Sequence, residues 1–209
     1  MKIDRRMLIR GAAACLAQAA LPARAEVPFA GGLAGADPGL DPLLRARALD
    51  ALARHNGRFW SRDRIGIVDY GKPSSVPRLH IVNIIDGTTR SMLVAHGKGS
   101  DPDHTGFVQR FSNVEGSLCS SEGAYLTGRR YEGVHGAARR LVGLDLTNDL
   151  ADPRAIVIHS AWYVGPEIVA KQGVLGRSDG CFVVSPAEIA TLLAELPEGR
   201  LLYCGAAGR

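Results

Sequence analysis

Two stretches, Ala155-Ile156-Val157-Ile158-His159 and Gly176-Arg177-Ser178-Asp179-Gly180-Cys181-Phe182-Val183-Val184, decide how this chain is read. The first is an unbroken β-branched and apolar run that ends in an imidazole, the pattern of a buried strand with a polar tip. The second is a small, polar turn that delivers a cysteine at the edge of an apolar strand. Two glycines and a serine in that approach let backbone N–H groups turn inward with no Cβ in the way, as an oxyanion hole requires. A thiol is the weaker form of its nucleophile and needs a base, which His159 could supply. Local pattern also admits a plainer reading, with the cysteine as a small core residue and the histidine as a hydrogen-bonded structural one.

Working outward, the segments 64–70, 78–85, 89–95, 123–127, 139–144 and 155–159 are rich in Val, Ile, Leu or Tyr and are joined by Gly, Pro, Asp or Ser, so each is predicted to be a strand. Asp86-Gly87 between two of them signals an antiparallel hairpin. Asp41-Pro42 opens a predicted helix that carries Leu43, Leu44, Ala48, Leu49, Leu52 and Ala53 at helical spacing and ends near Asn56-Gly57. Ser185-Pro186 with Glu188 reads as an N-cap, a first-turn proline and a capping-box acid for a second helix through Leu196. Arg200 to Cys204 closes as a strand. The polar segment from His96 to Ser121 is longer than a bare connection needs, so it is expected to fold over something and to border the site.

The 209 residues suffice for one sizeable core. Of the 25 Lys and Arg, Lys2, Arg5, Arg6, Arg10 and Arg24 lie in the first 25 residues, beside Asp4 of the 21 acidic ones, so beyond Ala25 the signs balance at 20 against 20. That balance excludes bulk attraction to a polyanion, and no nucleic-acid partner is expected. The first 25 residues combine a basic start, an apolar run from Gly11 to Leu21 and Ala23-Arg24-Ala25, the parts of an export signal, with Arg5-Arg6 resembling a twin-arginine address. The run is shorter than the ~20 residues a membrane span needs, so no stable membrane insertion is expected after removal. Residues 26–41, rich in Gly, Ala and Pro, read as a flexible leader. Cys119, Cys181 and Cys204 would survive cleavage, and an odd count in an oxidising compartment predicts at least one thiol with no partner in the chain. Their spacing makes no structural metal site.

The order His159, then Ser178-Asp179-Gly180-Cys181, resembles the signature of the L,D-transpeptidases, whose histidine lies upstream of a Ser/Thr-His-Gly-Cys turn. Val94-Ala95-His96-Gly97, Phe111-Ser112-Asn113, Gly116-Ser117, Tyr125-Leu126-Thr127-Gly128, Val134-His135-Gly136, Leu141-Val142-Gly143-Leu144 and Gly176-Arg177-Ser178 extend the similarity to the YkuD-like murein subgroup over roughly residues 64–204. The resemblance implies a mainly β, L,D-transpeptidase-type β-sandwich with a short helix near each end, forming a catalytic domain over residues 42–209. It implies Cys181 as nucleophile, His159 as base and the Ser160 carbonyl as its orienting group. Asp179, Gly180 and Cys181 would form the oxyanion hole, and Arg177 and Ser178 would contact substrate. The implied substrates are peptidoglycan stem peptides, cross-linked through a Cys181 thioester by a monomer in the periplasm or cell envelope, with no metal or organic cofactor because thiolate and imidazole suffice.

Two positions depart from the family pattern: Asp179 stands where the turn has histidine, and Val183 where Asn or Arg is common. They bear on substrate recognition, and with them stand the alternatives of an L,D-carboxypeptidase or amidase that uses water, or a murein-binding protein without turnover. Arg177 suits a substrate carboxylate or a pairing with Asp179. His96 and His135 either line the cleft or support neighbouring turns, and Cys119 could bond Cys204.

Overall fold

The computed structural model describes residues 39–207; the predicted export signal and the predicted leader as far as residue 38 lie outside them. The described residues form eight strands and three α-helices, in the order α1 (Pro42–Arg54), β1 (Arg64–Asp69), β2 (Leu79–Asn83), β3 (Thr89–Met92), β4 (Gly123–Gly133), β5 (Gly136–Gly143), β6 (Val157–Ser160), α2 (Pro166–Gln172), β7 (Phe182–Val184), α3 (Ile189–Glu195) and β8 (Leu201–Gly205). The mainly β class with a helix towards each end is therefore as the sequence predicts.

The strands form one sheet in the order β3-β2-β1-β8-β4-β5-β6-β7. Only β1–β8 and β6–β7 run parallel. The sheet folds back on itself, because the chain just beyond β3 meets the opposite edge: the Ala95 amide donates to the Val183 carbonyl at 2.8 Å. The sandwich is thus a single curled sheet whose two ends are sewn together beside β7. Its interior holds Val68, Leu79, Ile81, Met92, Tyr125, Leu141, Ile158, Phe182, Val184 and Leu202, with Leu192, Leu193 and Leu196 of α3 packed in as well. Tyr125 meets Phe182 edge to face at 5.3 Å, and Tyr70 stacks on Phe182 at 6.3 Å. Each such pair adds about 0.5–1.5 kcal/mol to the burial of its rings. The residue next to Cys181 is thereby anchored at the centre of the core.

On the outer face, α1 lays Leu44, Ala48, Ala51 and Leu52 against Ile65, Ile67, Ala124 and Leu201. The Asp41 carboxylate caps this helix by accepting from the Leu43 and Leu44 amides. The Asp86-Gly87 hairpin forms as expected, with Gly87 at φ +75°.

Three features differ from the sequence reading. The helix after Ser185 begins at Ile189, and the Ser185 hydroxyl and Glu188 carboxylate bond to each other at 3.0 Å instead of capping backbone amides. Helix α2, opened by Pro166 and closed by Gly173 at φ +80°, has no buried residue and so left no apolar stripe to read. Strands β4 and β5 extend well past the sheet as a hairpin turning at Gly133 and Gly136, with a register shift between Thr127 and Arg130. Arg129, Arg130 and Glu132 are exposed there, so the alternation that marks a half-buried strand is missing.

Candidate active site

Parallel pairing of β6 with β7 aligns Ile158 with Phe182 and His159 with Val183. Side chains alternate across a strand, and Ile156, Ile158, Phe182 and Val184 all point into the main core. Val183 instead joins a second apolar cluster on the other face with Ala95, Val164 and Leu175, and Cys181 packs against that cluster. His159, adjacent to Ile158, falls on the same side as Cys181. The sequence places thiol and imidazole on one face simply by giving both strands the same parity.

His159 is 5% exposed, and its Nδ1 lies 3.0 Å from the Ser160 carbonyl oxygen. A carbonyl only accepts, so Nδ1 carries the proton and Nε2 presents a lone pair. Burial pulls the imidazole below its usual pKa, the Ser160 carbonyl opposes this, and nearby His135 lowers it further. Cys181 is half-buried, with Sγ 3.6 Å from the Ala155 carbonyl oxygen. Burial raises its pKa first and foremost, with Asp179 adding to the rise and the Val157 amide and Arg154 opposing it. Both shifts favour the uncharged forms, imidazole and thiol.

The turn that carries Cys181 is held from within and from outside. Ser178 Oγ donates to the Cys181 carbonyl at 2.8 Å and accepts from the Gly180 amide at 3.1 Å. Gly180 adopts φ +116°, and a Cβ there would lie 2.7 Å from the Cys119 carbonyl oxygen and 2.8 Å from Ile156 Cδ1. Only glycine fits this position without strain. The long segment after β3 folds onto the turn as expected: the Ser178 amide donates to the His96 carbonyl and the Lys98 amide to the Ser178 carbonyl, at 2.9 and 2.7 Å. From the other side, the Arg154 guanidinium binds the Ser112 and Cys119 carbonyls and the Ser121 hydroxyl.

A buried network that the sequence did not reveal stands behind this segment. Arg78, fully buried, donates to the Val94 and Lys72 carbonyls and, at 2.7 Å, to Nδ1 of His96. Because Arg78 can only donate, His96 must accept at Nδ1 and carry its proton on Nε2, which faces Asp101 Oδ2 at 3.2 Å. Burial, and then the Arg78 charge, lower the His96 pKa to about 4. The imidazole is therefore a neutral link between a buried cation and a buried anion. Asp101 also accepts from the Thr105 and Gly106 amides. Of the two readings of His96, support of a turn is the one its contacts describe. Arg78 was hidden at the head of a predicted strand, where an arginine usually reads as a solvated end.

Other predicted residues sit differently from expectation. Arg177 donates to the Asp101 and Pro102 carbonyls, and the partner of Asp179 is Lys98, at 2.8 Å. The pairing of Arg177 with Asp179 is thus replaced by one that pulls the Asp179 carboxylate to the outside of the turn. Ser178 is 4% exposed, and its hydroxyl is committed to the turn. Cys119 and Cys204 are both free thiols: Cys119 lies on the loop against the Ser117 carbonyl, whereas Cys204 faces the Ser121 carbonyl from inside the core. His135, at the exposed tip of the β4–β5 hairpin, stacks on His159 with centroids 4.5 Å apart and planes within 19°.

Solved structures similar to the chain include an L,D-transpeptidase from Mycobacterium smegmatis, at 16% identity and a TM-score of 0.41, over 69% of this chain and 59% of that one. The helical cell shape determining protein Pgp2 (K307A mutant) from Campylobacter jejuni is 12% identical, with a TM-score of 0.46, over 81% and 58% of the two chains. An L,D-transpeptidase from Xylanimonas cellulosilytica is 17% identical, with a TM-score of 0.39, over 79% and 71%. The match spans 59% and 58% of the length of the first two relatives, respectively. No curated protein matches the sequence. The family model for the L,D-transpeptidase catalytic domain (YkuD_2) matches residues 37–204, most of the chain and all of the site just described, and the chain belongs to that family.

Proposed function

We propose that the chain is an exported cysteine acyltransferase of the cell envelope that acts on peptidoglycan stem peptides and forms L,D cross-links through a Cys181 thioester. The observation that carries this reading is the orientation of His159: Nδ1 is held by the Ser160 carbonyl, and Nε2 is left as acceptor on the face that Cys181 shares. Membership of the L,D-transpeptidase catalytic domain family supports the substrate class. Among the described residues no helix is long and apolar enough to cross a membrane.

The steps follow from these groups. His159 Nε2 takes the thiol proton as Sγ attacks the carbonyl carbon between an L-centre and the terminal D-residue of a stem. The Gly180 amide is already bonded to Ser178, so the Asp179 and Cys181 amides are the donors this turn can offer the oxyanion. The carbon–nitrogen bond breaks, the imidazolium returns its proton to the leaving amine, and a thioester remains. An amine of a second stem then attacks the thioester, His159 again accepting a proton, and the thiol is regenerated. Lys98 matters here because it draws the Asp179 carboxylate away from the developing negative charge.

Incubation with purified disaccharide-tetrapeptide, with products resolved by mass, tests the reading. Cross-linked dimer is expected from the wild type and none from Cys181→Ala. Tripeptide without dimer would make water the acceptor, and unchanged substrate would remove the catalytic assignment.

A further inference from the structure

The β4–β5 hairpin presents a problem that the sheet does not explain. It projects beyond the strands that pair with it, and its two-residue tip, Val134-His135, is exposed, Val134 to 97%. Its turn is built to be tight: Gly133 pairs with Gly136, and Gly136 takes φ +76°. Its shaft is stiffened across the strands, where the Arg140 guanidinium lies 4.9 Å above the centre of the Tyr131 ring. The arm is packed through Ala137, which meets the core, and Ala138, which is buried, and its tip makes one ring contact, the face of His135 laid on the face of His159.

His159 is 5% exposed, and its one side-chain hydrogen bond, from Nδ1 to the Ser160 carbonyl, fixes a ring atom but not by itself the plane of the ring. A flat partner at 4.5 Å, tilted by 19°, braces that plane and shields one face of the ring from water. We propose that His135 is a positioning residue, acting through His159 to fix the plane in which Nε2 meets the Cys181 thiol. This rests on the reading of Cys181 and His159 as nucleophile and base. The ring face of His135 does the work, so the role needs an aromatic side chain and not a second proton acceptor.

The test compares wild type with His135→Ala, His135→Phe and His159→Ala, all in the full mature chain. It measures kcat and KM on disaccharide-tetrapeptide, the rate at which iodoacetamide alkylates Cys181, and the melting temperature. For His135→Ala, kcat and the alkylation rate are expected to fall roughly tenfold, with KM changed by less than about twofold and melting unchanged, because the tip is exposed. His135→Phe, which keeps the flat face, is expected to recover to within about threefold of wild type. If Phe is as slow as Ala, His135 acts through its nitrogens and the positioning role is overturned. If Ala equals wild type, the stack has no role. His159→Ala separates this from the underlying assignment: should it leave turnover and alkylation unchanged, the base itself has been misassigned, whatever His135 does.

Discussion

Replacing His96 by Gln would remove one proton-binding site from the buried network while keeping its connections, since an amide oxygen can accept from Arg78 and an amide N–H donate to Asp101. In the folded chain the His96 pKa lies at about 4, chiefly through burial and next through the Arg78 charge, against an ordinary value near 6.5. The sign follows from that depression. The unfolded chain takes up the proton as pH drops through about 6.5, and the folded chain resists until about 4. Stability conferred by neutral His96 is thus fully present above about pH 6.5, is lost progressively as pH falls from about 6.5 to about 4, and the loss levels off below about 4, where both states are protonated. A gap of about 2.5 pH units corresponds to about 3 kcal/mol. Urea unfolding of wild type and H96Q from about pH 7.5 to about pH 4 gives two stability curves. The wild-type curve should fall by about 3 kcal/mol more than the H96Q curve over this window. Titrating groups remote from the network, His159 included, are common to both proteins and cancel in the difference. Asp101, bonded to His96, has its pKa held below the usual carboxylate value, so it titrates at or below the foot of this window. Parallel curves would refute the neutral-link account of His96.

Gly180→Ala would place a Cβ against the Cys119 carbonyl at φ +116°, costing about 2–4 kcal/mol and lowering the melting temperature by roughly 5–15 °C; an unchanged melt would contradict the geometry. Alkylation of Cys181 should keep accelerating as pH rises past neutrality, because its pKa is raised by burial and by Asp179; a rate already level at about pH 7 would show a preformed thiolate. Lys98→Ala removes a pair with both ends well exposed, so stability should stay within about 1 kcal/mol while acylation slows as Asp179 is released; equal acylation would deny Lys98 that role. Native alkylation should label Cys181 alone, and alkylation after unfolding Cys119 and Cys204 as well; a Cys119–Cys204 bond would block the second set.

The strands that bury a face were legible because burial imprints a pattern. Arg64–Asp69, Leu79–Asn83 and Val157–Ser160 follow apolar runs, and Asp86-Gly87 marks its own turn. The outer β4–β5 hairpin was not legible, since residues wet on both faces carry no alternation, and α2 escaped for the same reason. At the site, the Cys181 turn and His159 could be named from their own neighbourhoods. The partners of Asp179 and Arg177 could not, because Lys98, Asp101 and Pro102 reach them only through the fold of the segment after β3. Arg78 lay deeper still: a buried arginine is recognisable only once its acceptors Val94, Lys72 and His96 are in place.

The seam between Ala95 and Val183 has a consequence for the surroundings of the thiol. Its two sides are distant in sequence, so closing it orders a long intervening chain and costs more loop entropy than a local hairpin does. The same closure sets the Ser178 turn against the His96 carbonyl and completes the wall around Cys181. A chain caught before that stitch could pair β6 with β7, and so set Cys181 and His159 on one face, but without the segment that closes over the Ser178 turn. The walls of the Cys181 turn are in this way completed by the contact that also closes the sheet.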